Sequence, residues 1–302
     1  MPEGYGMNRN HLALFHAVAQ AGGISAGAAA ARVSQPAVSK QIAELESALG
    51  VQLLERLPRG CRLTEAGEIL ASYAARWRTL EADAAQAIEE YRGLKRGRLN
   101  VGASLTIAGY LLPRALAEFH RQYPEIELRV RTANTRQIQA ALLEGSLELG
   151  LTEGVHDAPE LDSEVFLEDE LVAIAPPKHP FLKRGDVTAR EFCREPLILR
   201  EPGSGTRAAI EQALRRKKLS VEPLLSLGSP EAIKGAVCCG MGLAIVSRLS
   251  VDQELRSGAL AIVALQDLTI RRPLRRQRLR GRNESPAAAR FRQVLVAVVG
   301  DR

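Results

Sequence analysis

The fold of the N-terminal part of this chain is decided by the stretch Val33-Ser34-Gln35-Pro36-Ala37-Val38-Ser39-Lys40. Ser34 precedes a helix-forming run over residues 35–49, and Ser25 precedes another run over residues 26–32. A serine at this position caps a helix, because its hydroxyl accepts a hydrogen bond from a free N–H group of the first turn. The two helix starts lie nine residues apart, so the sequence predicts two short helices joined by a tight turn.

The second predicted helix has two different faces. Its apolar residues recur in steps of four, three and four, which predicts one buried stripe: Val38, Ile42, Leu45 and Leu49. Its first turn and its opposite face carry small or flexible groups of the kind that contact base edges in the major groove: Ser34, Gln35, Pro36, Ser39 and Lys40. The pattern therefore predicts a recognition helix. For any single side chain, simple solvation of a helix face is the alternative.

A two-stranded wing is predicted after Gly50, with its tip at Pro58-Arg59-Gly60. Three arginines of the wing are expected to contact DNA phosphates or the minor groove: Arg56, Arg59 and Arg62. The alternative is an alanine-rich helical hairpin with no role in nucleic-acid binding. The coincidence of helix signals, turn spacing, a glycine and arginines in the wing favours DNA binding.

This region resembles the LysR-type family of bacterial transcriptional regulators. The resemblance rests on these motifs: Ala17-Val18-Ala19, Ala28-Ala29, Val33 to Ile42, Leu45-Glu46, Leu49-Gly50, Leu53-Leu54-Glu55-Arg56 and Leu63-Thr64-Glu65-Ala66-Gly67. Two positions depart from the family pattern. Gly27 stands where many members have a larger polar or basic residue, which is expected to weaken a contact to the DNA backbone. Ala31 replaces a large aliphatic residue, which is expected to reduce the apolar packing in the local core.

Length and composition agree with a regulator of more than one domain. A chain of 302 residues predicts about two domains, and 46% hydrophobic residues suffice for more than one core. The net charge of +6 suits a polyanionic partner without establishing one. No apolar run approaches the length of a membrane span, and residues 1–10 lack the core of a signal peptide. A cytoplasmic location and no membrane partner are therefore expected.

The four cysteines give no sign of a metal site, because they show no Cys-x-x-Cys spacing and no histidines at metal-site intervals: Cys61, Cys193, Cys238 and Cys239. No metal and no cofactor are expected. The adjacent pair Cys238 and Cys239 suggests a redox sensor, but buried positions in a helix are the favoured interpretation.

One long helix is predicted from Thr64 to about Tyr91. Its apolar positions alternate in steps of three and four: Leu70, Tyr73, Trp77, Leu80, Ala84, Ala87 and Tyr91. A seam of this length needs a partner, either the chain's own domains or a second copy. The family resemblance favours a dimerising helix, so a homodimer or homotetramer is expected. The predicted domains are a winged helix-turn-helix at 1–66, a linker helix and basic hinge at 67–97, and a regulatory domain at 98–302.

The regulatory domain is predicted to be α/β, because strand-like and helix-like runs alternate. Strands are expected at 99–103, 126–131, 147–151, 170–175, 196–200, 242–246 and 259–263, and helices at 111–123, 135–144, 207–217 and 229–239. The resemblance implies two Rossmann-like subdomains of periplasmic-binding-protein type. They map to about 98–170 with 270–302, and to about 171–269. The expected fold class is an α/β multidomain protein with an all-α winged N-terminus.

Effector-binding residues are expected where strands end and helices begin, because free N–H groups there favour anions. Three such junctions supply the candidates Ser104, Thr106, Asn134, Thr135, Arg200, Ser204 and Thr206. In the third junction Gly203 and Gly205 allow a ligand to approach the backbone closely, and ordinary capping of the next helix is the alternative. The resemblance implies a small oxyanion, or a phosphorylated or carboxylate metabolite, as the effector.

The C-terminal segment is rich in arginine: Arg271, Arg272, Arg275, Arg276, Arg278, Arg280 and Arg282. A solvated strand followed by a final helix after Ser285-Pro286 is favoured over a second polyanion contact. The five histidines are scattered, so no nucleophile–base set supports catalysis. The predicted function is a regulator that binds promoter DNA and is switched by a small anionic metabolite. The alternative is a cytoplasmic small-molecule-binding protein or enzyme that uses its N-terminal helices only for assembly.

Overall fold

The computed structural model describes residues 8–57, 60–91, 97–154 and 158–300, without the side chains of Arg56, Glu90 and Tyr91. The chain folds into two compact units that divide near residue 93. The N-terminal unit contains α1 (Arg9–Ala21), α2 (Ile24–Ala31), α3 (Gln35–Leu49), β1 (Leu54–Arg56), β2 (Cys61–Leu63) and α4 (Glu65–Tyr91).

The core of the N-terminal unit forms where α1, α2 and α3 meet. The predicted stripe on α3 is confirmed: Val38, Ile42 and Leu45 are buried, and Leu49 packs against the same core while remaining half-buried. The tight turn is also confirmed. Arg32 adopts the left-handed conformation with φ 55°, and the Val33 N–H group donates to the Ala28 carbonyl at 3.0 Å.

The two predicted serine caps differ in the structure. The prediction for Ser25 is wrong, because α2 begins at Ile24 and Gly23 occupies the N-cap position. Ser34 does occupy the N-cap position of α3 in an extended conformation, but its hydroxyl makes no capping hydrogen bond. The exposed hydroxyl of Ser34 is therefore left for another partner.

Gly27 lies in α2 at its contact with α1, and a β-carbon there would lie 2.6 Å from the Cα atom of Val18. The expectation that Gly27 marks a lost contact to DNA is therefore wrong, because this position is buried and has no room for a larger side chain.

We expect Gly27→Ala to lower the free energy of unfolding of the N-terminal unit by about 1–3 kcal/mol, because overpacking outweighs the gain of about 1 kcal/mol in helix propensity. Gly235→Ala is the matched control, because a β-carbon at Gly235 meets nothing within 4 Å. Chemical denaturation should show destabilisation by the first change and unchanged or increased stability for the second. Equal effects of the two changes would contradict the proposed contact.

The long helix α4 confirms the predicted element and carries an exposed apolar stripe. Ile69, Tyr73, Leu80 and Ile88 are each more than half exposed, and their spacing places them along one side of the helix. Leu70, by contrast, packs against the core of the N-terminal unit. The seam residue Tyr91 has a side chain outside the described part of the chain. Much of the seam is therefore left uncovered by this chain's own N-terminal unit.

The C-terminal unit is an α/β fold. Its helices are α5 (Leu105–Tyr110), α6 (Leu112–Gln122), α7 (Thr135–Leu143), α8 (Ala189–Phe192), α9 (Gly205–Arg216), α10 (Pro230–Cys238), α11 (Asp252–Ser257) and α12 (Pro286–Gly300). Its strands are β3 (Gly97–Ser104), β4 (Ile126–Ala133), β5 (Leu149–Glu153), β6 (Leu161–Ala175), β7 (Leu197–Arg200), β8 (Leu225–Leu227), β9 (Leu243–Ser247), β10 (Ala261–Val263) and β11 (Ile270–Leu279).

One sheet joins these strands in the order β4-β3-β5-β11-β6-β9-β7-β8, with β10 paired to β6. The long strands β6 and β11 pair antiparallel along their length, with a register shift at Leu274/Arg275. Parallel pairs lie on both sides of them, β3 with β4 and β5, and β7 with β8 and β9. Polar residues of the candidate site lie at the carboxyl ends of β5 and β7 and near the start of β11.

Two elements differ from the prediction. The helix expected at 111–123 is confirmed as α6, but a further short helix, α5, precedes it and was not predicted; the chain breaks between them at Leu111, and α6 begins with Pro113 in its first turn. The strand expected at 170–175 begins at Leu161, since β11 pairs with all of that length. Within the described residues, no helix is both long and apolar enough to cross a membrane.

The interpretation of the adjacent cysteines as buried helix residues is wrong. Cys238 ends α10 and Cys239 follows it, and both are exposed because this helix end lies at the surface. Partial burial and the nearby Glu254 carboxylate raise the pKa of the Cys238 thiol. A raised pKa disfavours the thiolate, which is the reactive form.

Candidate functional site

The recognition surface predicted from the sequence lies on α3. Ser34, Gln35, Pro36 and Lys40 are exposed and Ser39 is half-buried, so the structure brings all five onto the first turns of one helix. The Lys40 side chain is 79% exposed and lies 3.8 Å from Glu44, a weak pairing at that exposure. This surface can offer a hydroxyl, an amide and an ammonium group to a DNA groove.

The wing is confirmed for its described part, where β1 and β2 pair with Glu55 opposite Arg62. Arg62 donates to the Glu55 carboxylate at 2.6 Å, and both side chains are mostly exposed. An exposed pair of this kind is worth less than about 1 kcal/mol, so Arg62 can exchange this partner for a phosphate. Arg59 and the side chain of Arg56 lie outside the described residues, and their predicted contacts stay predictions.

Glu46 connects the recognition helix to the wing. Its Oε1 atom accepts hydrogen bonds from the backbone N–H groups of Leu53 at 2.8 Å and Leu54 at 3.1 Å. Sequence reasoning missed this role of Glu46. The available signal was an acidic residue in the last turn of a helix, a few residues before a predicted strand.

In the C-terminal unit, several predicted effector residues converge on one carboxylate. Ser104 Oγ donates to Glu153 Oε2 at 2.6 Å, Thr206 Oγ1 donates to Oε1 at 3.0 Å, and Thr106 Oγ1 lies 3.4 Å from Oε1. Thr135 Oγ1 lies 3.4 Å from the Glu153 carbonyl. All five residues are buried. Three separate junctions of the chain therefore meet at the end of β5, and we call this set the Glu153 cluster.

Arg272 joins the Glu153 cluster to a second buried carboxylate. Its Nη1 atom lies 3.2 Å from Glu153 Oε1 and donates to Thr206 Oγ1 at 2.7 Å. Its Nε atom donates to Asp169 Oδ2 at 2.9 Å, and Ser247 Oγ donates to Asp169 Oδ1 at 2.9 Å. The guanidinium group is 1% exposed, so it forms a bridge between two carboxylates away from bulk water.

The two carboxylates have opposite pKa directions. Burial alone would raise the pKa of Glu153, but Arg272, the Ser104 hydroxyl and Arg200 together hold it below its usual value. Burial raises the pKa of Asp169, and Arg272 only partly offsets it. Glu153 is therefore a stable buried anion, and it occupies the position that hydroxyl groups and a guanidinium would offer to a ligand's oxyanion.

The remaining predicted effector residues have other partners. Ser204 caps α9 by accepting from the Arg207 N–H group at 3.5 Å, which was the alternative role considered for it. Asn134 Oδ1 accepts from the Gln137 N–H group at 3.0 Å at the start of α7. Arg200 pairs with Glu201 at 2.8 Å, but its buried Nη1 atom has no hydrogen-bond partner among the described residues.

Gly205 must be glycine for the cluster to assemble, since a β-carbon there would lie 2.0 Å from the carbonyl oxygen of Glu153. This packing holds the start of α9 against the end of β5. The sequence pointed to this glycine as a place of close approach, and the structure shows that the approaching group is the protein's own backbone.

A second buried contact links α5 to α10. Lys234 Nζ donates to the Ser250 carbonyl at 2.7 Å and to Tyr110 Oη at 3.1 Å, and pairs with Glu254 at 2.7 Å. Tyr110 Oη donates to Glu231 at 2.5 Å. Burial and the Glu231 carboxylate raise the pKa of Tyr110. These residues form no sequence motif, because they come from four separate segments of the chain that meet only in the fold.

Two family models match this chain, one over each unit. The model of the bacterial regulatory helix-turn-helix protein, lysR family, matches residues 9–68, and that of the LysR substrate binding domain matches residues 92–300. The chain is 33% identical over 259 residues to the transcriptional activator CmpR of Synechocystis sp., covering 86% of this chain and 85% of CmpR.

Two solved structures resemble the fold. The regulatory domain of Synechocystis CcmR in complex with 2-PG is 32% identical with a TM-score of 0.63, covering 67% of this chain and 97% of that one. ArgP from Mycobacterium tuberculosis is 22% identical with a TM-score of 0.73 over 97% of both chains, a likeness of fold alone.

The two units thus define a DNA-binding transcriptional regulator and not an enzyme. The chain belongs to the LysR family, as its N-terminal motifs predict.

Proposed function

We propose that a small anionic metabolite bound at the Glu153 cluster switches this regulator. The observation that carries the proposal is the convergence of Ser104, Thr106 and Thr206, from separate parts of the chain, on one buried site in the regulatory unit. A protein carboxylate satisfies these hydroxyls now, and a phosphate or carboxylate of a ligand would use the same donors. The structure of the related CcmR regulatory domain in complex with 2-PG supports a small ligand in this unit.

The ligand charge has a further partner in Arg200. Its Nη1 atom is buried without a hydrogen bond, and an unsatisfied buried donor costs about 1–3 kcal/mol. Arg200 also acts electrostatically on Glu153, so the two groups lie in the same environment. An anionic group near the start of α9 would satisfy this donor.

The promoter is contacted by α3, and two copies of α3 are held apart by paired α4 helices. The exposed apolar stripe on α4, which includes Tyr73 and Leu80, supports a homodimer or a tetramer built from dimers. Two heads read half-sites about one helical turn apart, or a multiple of it. The proposed location is the cytoplasm, where promoter DNA lies.

The regulatory unit acts as two subdomains, at about 98–170 with 270–302 and at about 171–269. Strands β6 and β11 run between them, and the Glu153 cluster takes Ser104 and Glu153 from one part and Thr206 from the other. An effector shifts the arrangement only through different affinities for its two forms.

The test is Thr206→Val, which keeps the side-chain shape and removes the hydroxyl between Arg272 and Glu153. In a gel-shift titration on DNA upstream of the gene, with 2-PG, orthophosphate and sulfate as probes, we expect unchanged basal DNA affinity. The half-maximal probe concentration should rise at least about tenfold, as the loss of one charge-assisted hydrogen bond implies.

Thr152→Val is the matched control, because Thr152 is an equally buried threonine whose hydroxyl donates to Gln277 at 2.8 Å outside the cluster. It should leave the probe response unchanged. An unchanged response in Thr206→Val would show that the effector binds elsewhere. A chain that fails to retain any DNA fragment would instead support the small-molecule-binding alternative.

A further inference from the structure

A second basic site lies on the C-terminal unit between α9 and the first half of β11. It is an open groove of about 630 Å³, within the usual range for small-molecule sites. Gln212 and Arg216 line it from α9, and Arg271 and Arg275 line it from β11. None of the cluster's serine or threonine hydroxyls lines it, and we call it the α9–β11 groove.

The seven arginines of the C-terminal segment differ in their partners, and Arg282 donates to the Leu147 carbonyl at 2.8 Å. Four of them pair with carboxylates of neighbouring strands or loops: Arg272, Arg276, Arg278 and Arg280. Arg271 and Arg275, which face the groove, have no carboxylate within ion-pair distance in the described parts of the chain, and neither has Arg216. Arg216, Arg271 and Arg275 therefore line one concave surface without an acidic partner among the described residues.

Two acidic residues, one on α9 and one on the strand next to β11, do not pair with these arginines. Glu170 is the register partner of Arg271 on β6 but forms no ion pair with it. Glu211 on α9 pairs with Arg207 at 2.7 Å and with Arg215 at 3.8 Å. No carboxylate among the described residues lines the groove itself. Arg275 donates to the Gly154 carbonyl at 3.4 Å, but no carboxylate among the described residues offsets the charges of Arg216, Arg271 and Arg275. A bound anion would therefore lower their mutual repulsion.

We propose that the α9–β11 groove binds a small polyanion that carries at least two phosphate groups. Arg271 and Arg275 lie four residues apart on one strand, about 13 Å at the usual rise per residue. At this backbone spacing Arg271 and Arg275 can each pair with a separate phosphate group, and Arg216 can pair with a third from the other side of the groove. A chain of phosphates therefore matches the three guanidinium groups better than a single phosphate does. Arginine binds phosphate oxygens through paired N–H donors.

The other lining residues of the groove can contact the part of such a ligand that carries no phosphate. Ala213 and Ile270 also line the groove and add apolar surface, and Gln212 adds an amide that can donate or accept. A ligand seated there would touch both α9 and β11. Arg272 on β11 belongs to the Glu153 cluster and also lines the groove, whereas Thr206 on α9 lies in the cluster alone. The groove and the cluster are therefore neighbours that share α9, β11 and Arg272.

The experiment is isothermal titration calorimetry of the full-length protein with inorganic tripolyphosphate and orthophosphate at constant ionic strength. We expect tripolyphosphate to bind at least tenfold more tightly than orthophosphate. The double variant Arg271→Gln/Arg275→Gln should lose at least tenfold in affinity for tripolyphosphate. Arg278→Gln/Arg280→Gln removes the same charge from the same strand at positions paired with Asp162, and it should change that affinity less than twofold.

Three results would overturn the proposal. Equal losses in the two double variants would show attraction by net charge without a built site. Equal affinities for orthophosphate and tripolyphosphate would remove the need for a polyanion. Loss of promoter affinity in Arg271→Gln/Arg275→Gln, with tripolyphosphate binding unchanged, would assign the arginines to DNA. Thr206→Val separates this site from the effector site, because tripolyphosphate binding in the groove should persist in that variant.

Discussion

Replacing Arg272 by methionine is expected to lower the free energy of unfolding of the C-terminal unit by about 3–5 kcal/mol at pH 7. The change leaves Glu153 and Asp169 buried without the guanidinium that now lies between them. It also removes the donor to Thr206, so two carboxylates and a hydroxyl lose a partner in one step. Methionine keeps most of the side-chain volume, so the loss of stability measures the effect of the missing charge and not of a cavity.

The loss of stability in Arg272→Met should become smaller as the pH falls. In the wild type the pKa of Glu153 is held down, so this group stabilises the fold above its unfolded pKa, and that contribution is lost as pH falls through the folded pKa. In Arg272→Met burial acts on both carboxylates without this opposition, so their pKa values rise. Protonation then relieves the unpaired charges, and the stability difference from wild type should shrink between pH 7 and about pH 4.5.

Urea denaturation across this pH range measures the effect. Arg278→Met is the control, because Arg278 pairs with Asp162 at 3.4 Å at a partly exposed site and should cost less than about 1 kcal/mol. A cost for Arg272→Met as small as for this control would refute the bridging role. A stability difference that grows towards low pH would contradict the assigned charge states.

Changing Gln35 and Ser39 together to alanine should reduce discrimination between promoter and unrelated DNA by about 10–100-fold, at the usual 1–3 kcal/mol for a base contact. Both residues lie on the first turns of α3, where a recognition helix meets base edges. Affinity for unrelated DNA should change little, since phosphate contacts supply it.

Two further variants of α3 sharpen this test. Ser47→Ala changes an exposed serine near the other end of the helix and should leave discrimination intact. Lys40→Gln should weaken all sequences alike and reduce the salt dependence of binding by about one counterion. Fluorescence anisotropy at several salt concentrations distinguishes these results. Unchanged discrimination in the Gln35 and Ser39 variant would exclude base contacts by this pair.

Local patterns in the sequence predicted the elements well. The stripe of Val38, Ile42 and Leu45 depends on helical spacing alone, and the exposed side of α3 follows from it. The positions of most strands follow in the same way. The predicted helix at 111–123 agrees with α6 to within one residue at each end. The short helix α5 was missed, because its six residues are too few to show a helical repeat.

The candidate effector site was predicted only in part. Ser104, Thr106 and Thr206 were found because hydroxyls after strands have a local signature. Glu153 and Arg272 were missed, because their roles depend on β5, β11 and α9 meeting in the fold, and a charged residue in a strand is more often solvated. The sorting of the C-terminal arginines likewise depends on acidic partners on β6, which only strand register reveals.

At the effector site proposed above, the carboxylate of Glu153 affects the ligand concentrations to which the regulator would respond. It is an anion fixed by the chain itself among Ser104, Thr206 and Arg272. A ligand that takes these donors must compete with a rival that never diffuses away and whose effective concentration is of order millimolar or more. The response threshold is then set by the balance between tethered and free anion, so a change at residue 153 would retune the sensor without altering the DNA that it reads.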